Sequence, residues 1–110
     1  GINRKNKTKL EPGMILSIEP GFYQKDEMGL RLENLVIVKK MEKGISKGFL
    51  CFENLTCVPF QKNMLDLSIL DKKEKRWLNS YHKMIYEKIS PSLTLKESTW
   101  LKKQCSPINT

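Results

Sequence analysis

The feature that most constrains this chain is a change of hydrophobic period near Pro59. Before it, short runs of β-forming residues alternate with polar stretches that carry glycine. After it, apolar residues recur every three or four positions. The first pattern calls for strands and the second for helices, so the expected class is α+β. Residues 14–19, Met-Ile-Leu-Ser-Ile-Glu, read as a strand stopped by the turn signal Pro20-Gly21. The polar run from Gln24 to Gly29 reads as a loop, and residues 30–39 as the clearest strand. A second glycine-containing stretch at 40–48 leads into residues 49–58, which predict one or two further strands. Short connections between successive strands favour an antiparallel meander.

Past Pro59, Asp71 and Glu74 form a D-x-x-E start resembling a capping box, and Leu78, Tyr81, Ile85 and Ile89 follow on one helical face. Trp77 and Met84 widen that face, and core packing is the simplest role for Trp77 and Trp100. Proline disfavours helical geometry in the residue before it, so Ser90-Pro91 ends this helix. A second helix starts after Thr94, with Glu97 completing another capping box, and stops before Pro107. The expected helices are 72–89 and 95–104. They carry no ligand-like residues, and their apolar faces are expected to close over the back of the sheet.

Composition bounds the function classes. At 39% hydrophobic and 29% charged residues, 110 residues suit one small globular domain with a modest core. No apolar run approaches the roughly 20 residues needed to span a bilayer. The basic stretch Gly1 to Lys7 is followed by no apolar segment of the signal-peptide kind. The chain lacks an initiating Met and reads as a piece of a longer protein. Twenty Lys+Arg against twelve Asp+Glu give a net charge of +8, which raises nucleic acid or another polyanion as a partner. The lysines are scattered, however, and few aromatics interleave with them as stacking platforms, which argues against nucleic acid. Cys51, Cys57 and Cys105 form no CxxC pair and suggest buried free thiols in a reducing compartment, most simply the cytoplasm. Cys51 and Cys57 share a parity on the expected strand.

Two carboxylates stand out. Glu33 lies inside Leu30-Arg31-Leu32-Glu33-Asn34-Leu35-Val36-Ile37-Val38, a strand whose apolar content predicts burial. Alternation puts Arg31, Glu33, Leu35 and Ile37 on one side. A buried carboxylate must be paired, protonated or metal-bound. Glu19 ends the preceding strand, and pairing of the two strands lets the glutamates approach each other. Close carboxylates repel unless a cation stands between them, either Arg31 or a hard divalent ion such as Mn²⁺ or Mg²⁺. The alternative is that Glu19 caps a turn and Glu33 makes an ordinary ion pair with Arg31 or a lysine.

The local sequences go further than spacing. Ser17-Ile18-Glu19-Pro20-Gly21-Phe22-Tyr23 and Gly29-Leu30-Arg31-Leu32-Glu33-Asn34 resemble the closing motifs of the Xaa-Pro aminopeptidases, within the creatinase and methionine aminopeptidase superfamily. Phe49 to Thr56, Val58-Pro59-Phe60 and Trp77 to His82 resemble the larger, eukaryotic cytosolic type. The resemblance implies a C-terminal fragment of a pita-bread metallopeptidase, with a curved antiparallel sheet and a C-terminal helical tail. Residues 1–60 would be the last strands of the catalytic domain, and residues 61–110 a helical extension packed on it.

It also implies a function: a metalloprotease and hydrolase removing the N-terminal residue from peptides with proline in second position, using two divalent metal ions, commonly Mn²⁺. By resemblance Glu19 is a terminal ligand to one metal and takes part in proton transfer. Glu33 bridges both ions, and Tyr23 and Arg31 orient the ligands through hydrogen bonds. The family's two aspartates and one histidine that complete the metal site precede this segment, and His82 matches none of its substrate-contacting histidines. The expected partners are proline-containing peptides, the remainder of the same enzyme and a second copy in a homodimer, with no membrane. The other reading is a catalytically inactive pita-bread module that binds protein or nucleic acid. Retention of both glutamates argues against it.

Overall fold

The computed structural model describes residues 5–110, so the basic stretch from Gly1 to Lys7 lies partly outside the described residues. The class is α+β. Five strands come first: β1 (Ile15–Ile18), β2 (Gly21–Gln24), β3 (Met28–Arg31), β4 (Asn34–Lys40) and β5 (Leu50–Asn54). A 3-10 turn at Lys62–Met64 leads to helix α1 (Lys72–Ile89), a second 3-10 turn at Ser90–Ser92, and helix α2 (Leu95–Gln104). The chain divides into two compact units, one ending at Thr56 and the other beginning at Cys57.

In the strand unit, β1, β4 and β5 form an antiparallel sheet in that order, and β2 and β3 pair in a two-stranded ladder. Three expectations are corrected here. The run from Gln24 to Gly29 is not a loop: only residues 25–27 turn, and Gln24 and Met28 already pair. Asp26 takes the left-handed conformation, φ 58°, that the tight reversal requires and that Asp tolerates. Nor is the strand at 30–39 continuous; it divides at residues 32–33 into β3 and β4. The cause lies on the facing strand. Leu32 N–H donates to the Pro20 carbonyl at 3.1 Å, but Pro20 has no N–H to return, so the ladder lapses there. Gly21 is likewise not a turn residue but the first residue of β2, opposite Arg31.

Val36 and Val38 of β4 are the buried apolar side chains of this unit. They share the face that alternation assigns them. Beyond β4, residues 49–58 give one strand, which ends at Asn54; Cys57 lies outside it, so the shared parity of Cys51 and Cys57 has no structural meaning. Where β5 ends, Thr56 Oγ1 accepts the Leu35 N–H at 2.8 Å and keeps that amide satisfied beside the break.

The helical unit follows its sequence closely. Asp71 and Glu74 cap α1 reciprocally, each accepting the other's backbone N–H at 2.8 Å, and Thr94 and Glu97 cap α2 in the same way at 3.3 and 2.8 Å. Tyr81, Ile85, Leu101 and Cys105 form the core, with Cys57, Phe60, Met84, Tyr86, Ile89 and Leu93 packed around it. Lys62 Nζ donates to the carbonyls of Ser106 at 2.9 Å and Lys103 at 3.3 Å, closing the C-terminal end of α2. Asn79 exchanges two 2.8 Å hydrogen bonds with the backbone of Ile108 and ties down the final segment.

The expected core role of the two tryptophans is not met: Trp77 is 51% exposed and Trp100 60%. Trp77 instead stacks on the buried Tyr81, rings 5.2 Å apart and 6° from parallel, at the edge of the core. Of the three free cysteines, Cys105 is buried and Cys51 and Cys57 are half-buried. Among the described residues no helix is long and apolar enough to cross a membrane.

Candidate metal centre

The two glutamates meet at the lapse in the ladder. On one side Ile18 pairs with Asn34, on the other Gly21 pairs with Arg31, and the Leu32–Pro20 hydrogen bond bridges them. All three contacts obey one register, so the four strand segments form a single long hairpin interrupted by Pro20. The same register sets Glu19 opposite Glu33. Directly opposed residues in an antiparallel pair project from the same face, as do residues two apart on one strand. Glu19, Gly21 and Tyr23 therefore share a face with Glu33, Arg31 and Gly29.

Two carboxylates facing one another in adjacent strands are destabilising without a cation. Arg31 supplies a cation, its Nε 4.0 Å from Glu33 Oε2, with side chains 54% and 42% exposed. That distance is the edge of an ion pair, and an exposed pair of this kind contributes little. Glu19 is held differently: Ser17, two residues back on the same face, donates from Oγ to Glu19 Oε2 at 3.1 Å.

Sequence reasoning overestimated burial here. Glu33 is exposed, as is Leu35 two residues on along the same face. Ser17 and Gly21 were also missed as neighbours of the pair. The signal was available in both cases, since each shares strand parity with Glu19.

The donor set can be tested against a metal. Two carboxylates on one face give all-oxygen ligation, which suits a hard divalent ion. They form only part of a site: among the described residues no group of three or more His, Cys, Asp or Glu is placed to hold an ion. His82 is not available to it. It is fully buried in the helical unit, where its Nε2 accepts the Phe60 N–H at 3.0 Å.

Comparison with known proteins agrees with this reading of the fold. Residues 48–108 match the C-terminal region of peptidase M24, and residues 1–40 match metallopeptidase family M24. A probable Xaa-Pro aminopeptidase P of Laccaria bicolor is 40% identical over 108 residues, covering 94% of this chain and 17% of the relative. One from Arthroderma otae is 46% identical over 99 residues, covering 86% of this chain and 16% of that protein. The chain thus spans about one-sixth of the length of the curated relatives it matches. Among solved structures, the X-prolyl aminopeptidase of Caenorhabditis elegans, described as a cytosolic enzyme with a di-nuclear active site, superposes with a TM-score of 0.82. It is 34% identical, and the match covers 96% of this chain and 18% of that one. The α+β arrangement is therefore part of a pita-bread fold, and the chain belongs to the M24 metallopeptidases, among relatives of the Xaa-Pro aminopeptidase P type.

Proposed function

We propose that this chain supplies two carboxylate ligands of a dinuclear metal centre in an Xaa-Pro aminopeptidase. In that enzyme residues 1–60 are the last strands of the catalytic domain and residues 61–110 its helical extension. The observation that carries the reading is the opposition of Glu19 and Glu33 across the break at Pro20, on a face exposed in this segment. The remaining ligands come from the rest of the same protein, since two carboxylates do not complete a site. The binding-module alternative has no comparable support, because a site without metal gains nothing from opposed carboxylates.

Glu33 would bridge the two ions, and Glu19 would bind one of them and accept a proton during hydrolysis. Bound there, the ions would supply Lewis acidity to acidify water and polarise the scissile carbonyl. Arg31 would hold Glu33 in orientation, Ser17 would hold Glu19, and Tyr23 would contribute a phenol donor on the same face. The substrate is a peptide with proline second, whose tertiary amide and fixed φ present a bent backbone. Manganese is the ion proposed, in keeping with oxygen ligation. A cytoplasmic setting is supported by the three free thiols and by the description of the C. elegans enzyme. A homodimer is proposed on the exposed Leu95 and Trp100 of α2, apolar side chains available to a second copy.

The test uses the full-length protein. Glu33→Ala should lower metal content and abolish turnover of an X-Pro peptide, because each ion loses a ligand. Glu19→Gln should keep at least one metal and sharply reduce turnover. Full metal occupancy with near-normal turnover in either variant would make that glutamate structural.

A further inference from the structure

Tyr23 is 67% exposed, so burial does not fix its ring. A strand side chain ordinarily stands away from the sheet. This one lies down. A Cβ built on Gly21 would sit 2.7 Å from both Tyr23 Cε2 and its hydroxyl oxygen, and 2.9 Å from Cζ. A Cβ built on Gly29, the residue paired with Tyr23, would sit 2.9 Å from Cδ1 and 3.3 Å from Cε1. The ring therefore rests on two bare α-carbons, one edge over Gly29 and the other edge and hydroxyl over Gly21. Its phenol is carried back along β2 to the level of the Gly21–Arg31 pair. The next same-face pair in that direction is Glu19 and Glu33, about 7 Å further along the strands.

We infer that Gly21 is a positioning residue: by having no side chain it lets Tyr23 lie along the hairpin and present its hydroxyl toward the carboxylate pair. Gly21 does not have a positive φ, so alanine is free of backbone strain there. What alanine meets is the ring. Because the ring is exposed, it can swing away, and the fold survives while the phenol leaves its place. This separates the inference from a purely structural one, in which an aromatic ring covers a glycine to strengthen a strand and its loss reads out as stability alone. The inference rests on the metal-site reading above.

The experiment is a double-mutant cycle in the full-length protein: parent, Gly21→Ala, Tyr23→Ala and the double variant. Metal dissociation constant, kcat and KM are measured, with melting of the metal-free protein. Gly21→Ala is expected to weaken metal affinity or lower kcat by about 10–100-fold, the usual size for losing a group that orients ligands. KM should stay close to the parent value. In the Tyr23→Ala background, Gly21→Ala should add no more than about twofold, since the ring it displaces is gone. Values for Gly21→Ala near those of the parent would overturn the inference, as would effects that multiply in the double variant. If Gly21→Ala melts too low to assay, Tyr23→Phe, which keeps the ring over both glycines and removes only the hydroxyl, takes its place: metal affinity or kcat lowered by about 10–100-fold supports the inference, and parent-like values overturn it. Glu33→Ala is the control: metal retained there overturns the metal-site reading and this inference together. Metal lost there, with Gly21→Ala neutral, overturns this one alone.

Discussion

His82 shows how one side chain can tie stability to pH. It is fully buried, and its Nε2 accepts the Phe60 N–H, so that nitrogen carries no proton and the neutral ring is protonated at Nδ1. Nδ1 is the buried side-chain polar atom without a hydrogen-bond partner among the described residues. Burial, and secondarily the nearby Lys62 ammonium, hold the His82 pKa below its ordinary value. In the unfolded chain the imidazole titrates near 6.5. Between that value and the lower folded one, the unfolded state binds more protons, so stability falls as pH drops through the window. His82→Leu should cost about 1–3 kcal/mol at neutral pH by stranding the Phe60 amide. The difference in melting between parent and variant should then narrow as pH falls below about 6.5. A difference independent of pH would mean that His82 keeps the same charge folded and unfolded.

At the level of elements, what could be read from sequence depended on where the determining contact lay. Both capping boxes and both helix ranges were legible, because each is set within a few residues of chain. The division of residues 30–39 was not legible in that segment, since Pro20, on the other strand, causes it. The β2–β3 hairpin was not legible in full, because residues 24–29 read as one polar loop whereas only residues 25–27 turn, with Asp26 in the left-handed conformation. The glutamate pair itself was found through its motif, while its actual exposure depends on layers outside the segment. Helical periodicity also assigned Trp77 to the core, where the structure has it half-exposed against Tyr81 and Phe60. The expected cost of Trp77→Ala falls accordingly, from the about 3–5 kcal/mol of a buried aromatic to about 1 kcal/mol for a lost ring pair. Ile85 is fully buried two turns further along the same helix, and Ile85→Ala should cost about 2–5 kcal/mol. Denaturant unfolding of the two variants should rank Ile85→Ala well above Trp77→Ala. The reverse order would place the weight of the helical unit on its aromatic stack.

On the scale of the whole chain, the two units differ in how much they bury. The helical unit has a core of Tyr81, Ile85, Leu101 and Cys105 and polar anchors at Lys62 and Asn79. The strand unit buries Val36 and Val38 but exposes Ile18, Phe22, Leu30, Leu32 and Phe52 on the same face. So large an apolar surface on short strands marks a face that belongs against another layer, and in the proposed enzyme the rest of the catalytic domain supplies it. The chain of 110 residues produced by itself should therefore be inactive and unevenly stable. Amides of α1 and α2 should exchange with solvent more slowly than those of β1, β2 and β3, by about a hundredfold or more, because strands without a covered face open locally at little cost. A dye that binds exposed apolar surface should bind this chain and lose its signal with the same residues in the full-length protein. Hydrogen exchange followed by mass spectrometry reads both halves at once. Equal protection across strands and helices, with one cooperative melt of the monomer, would mean that the strand unit needs no partner layer, and the assignment of its apolar face would fail.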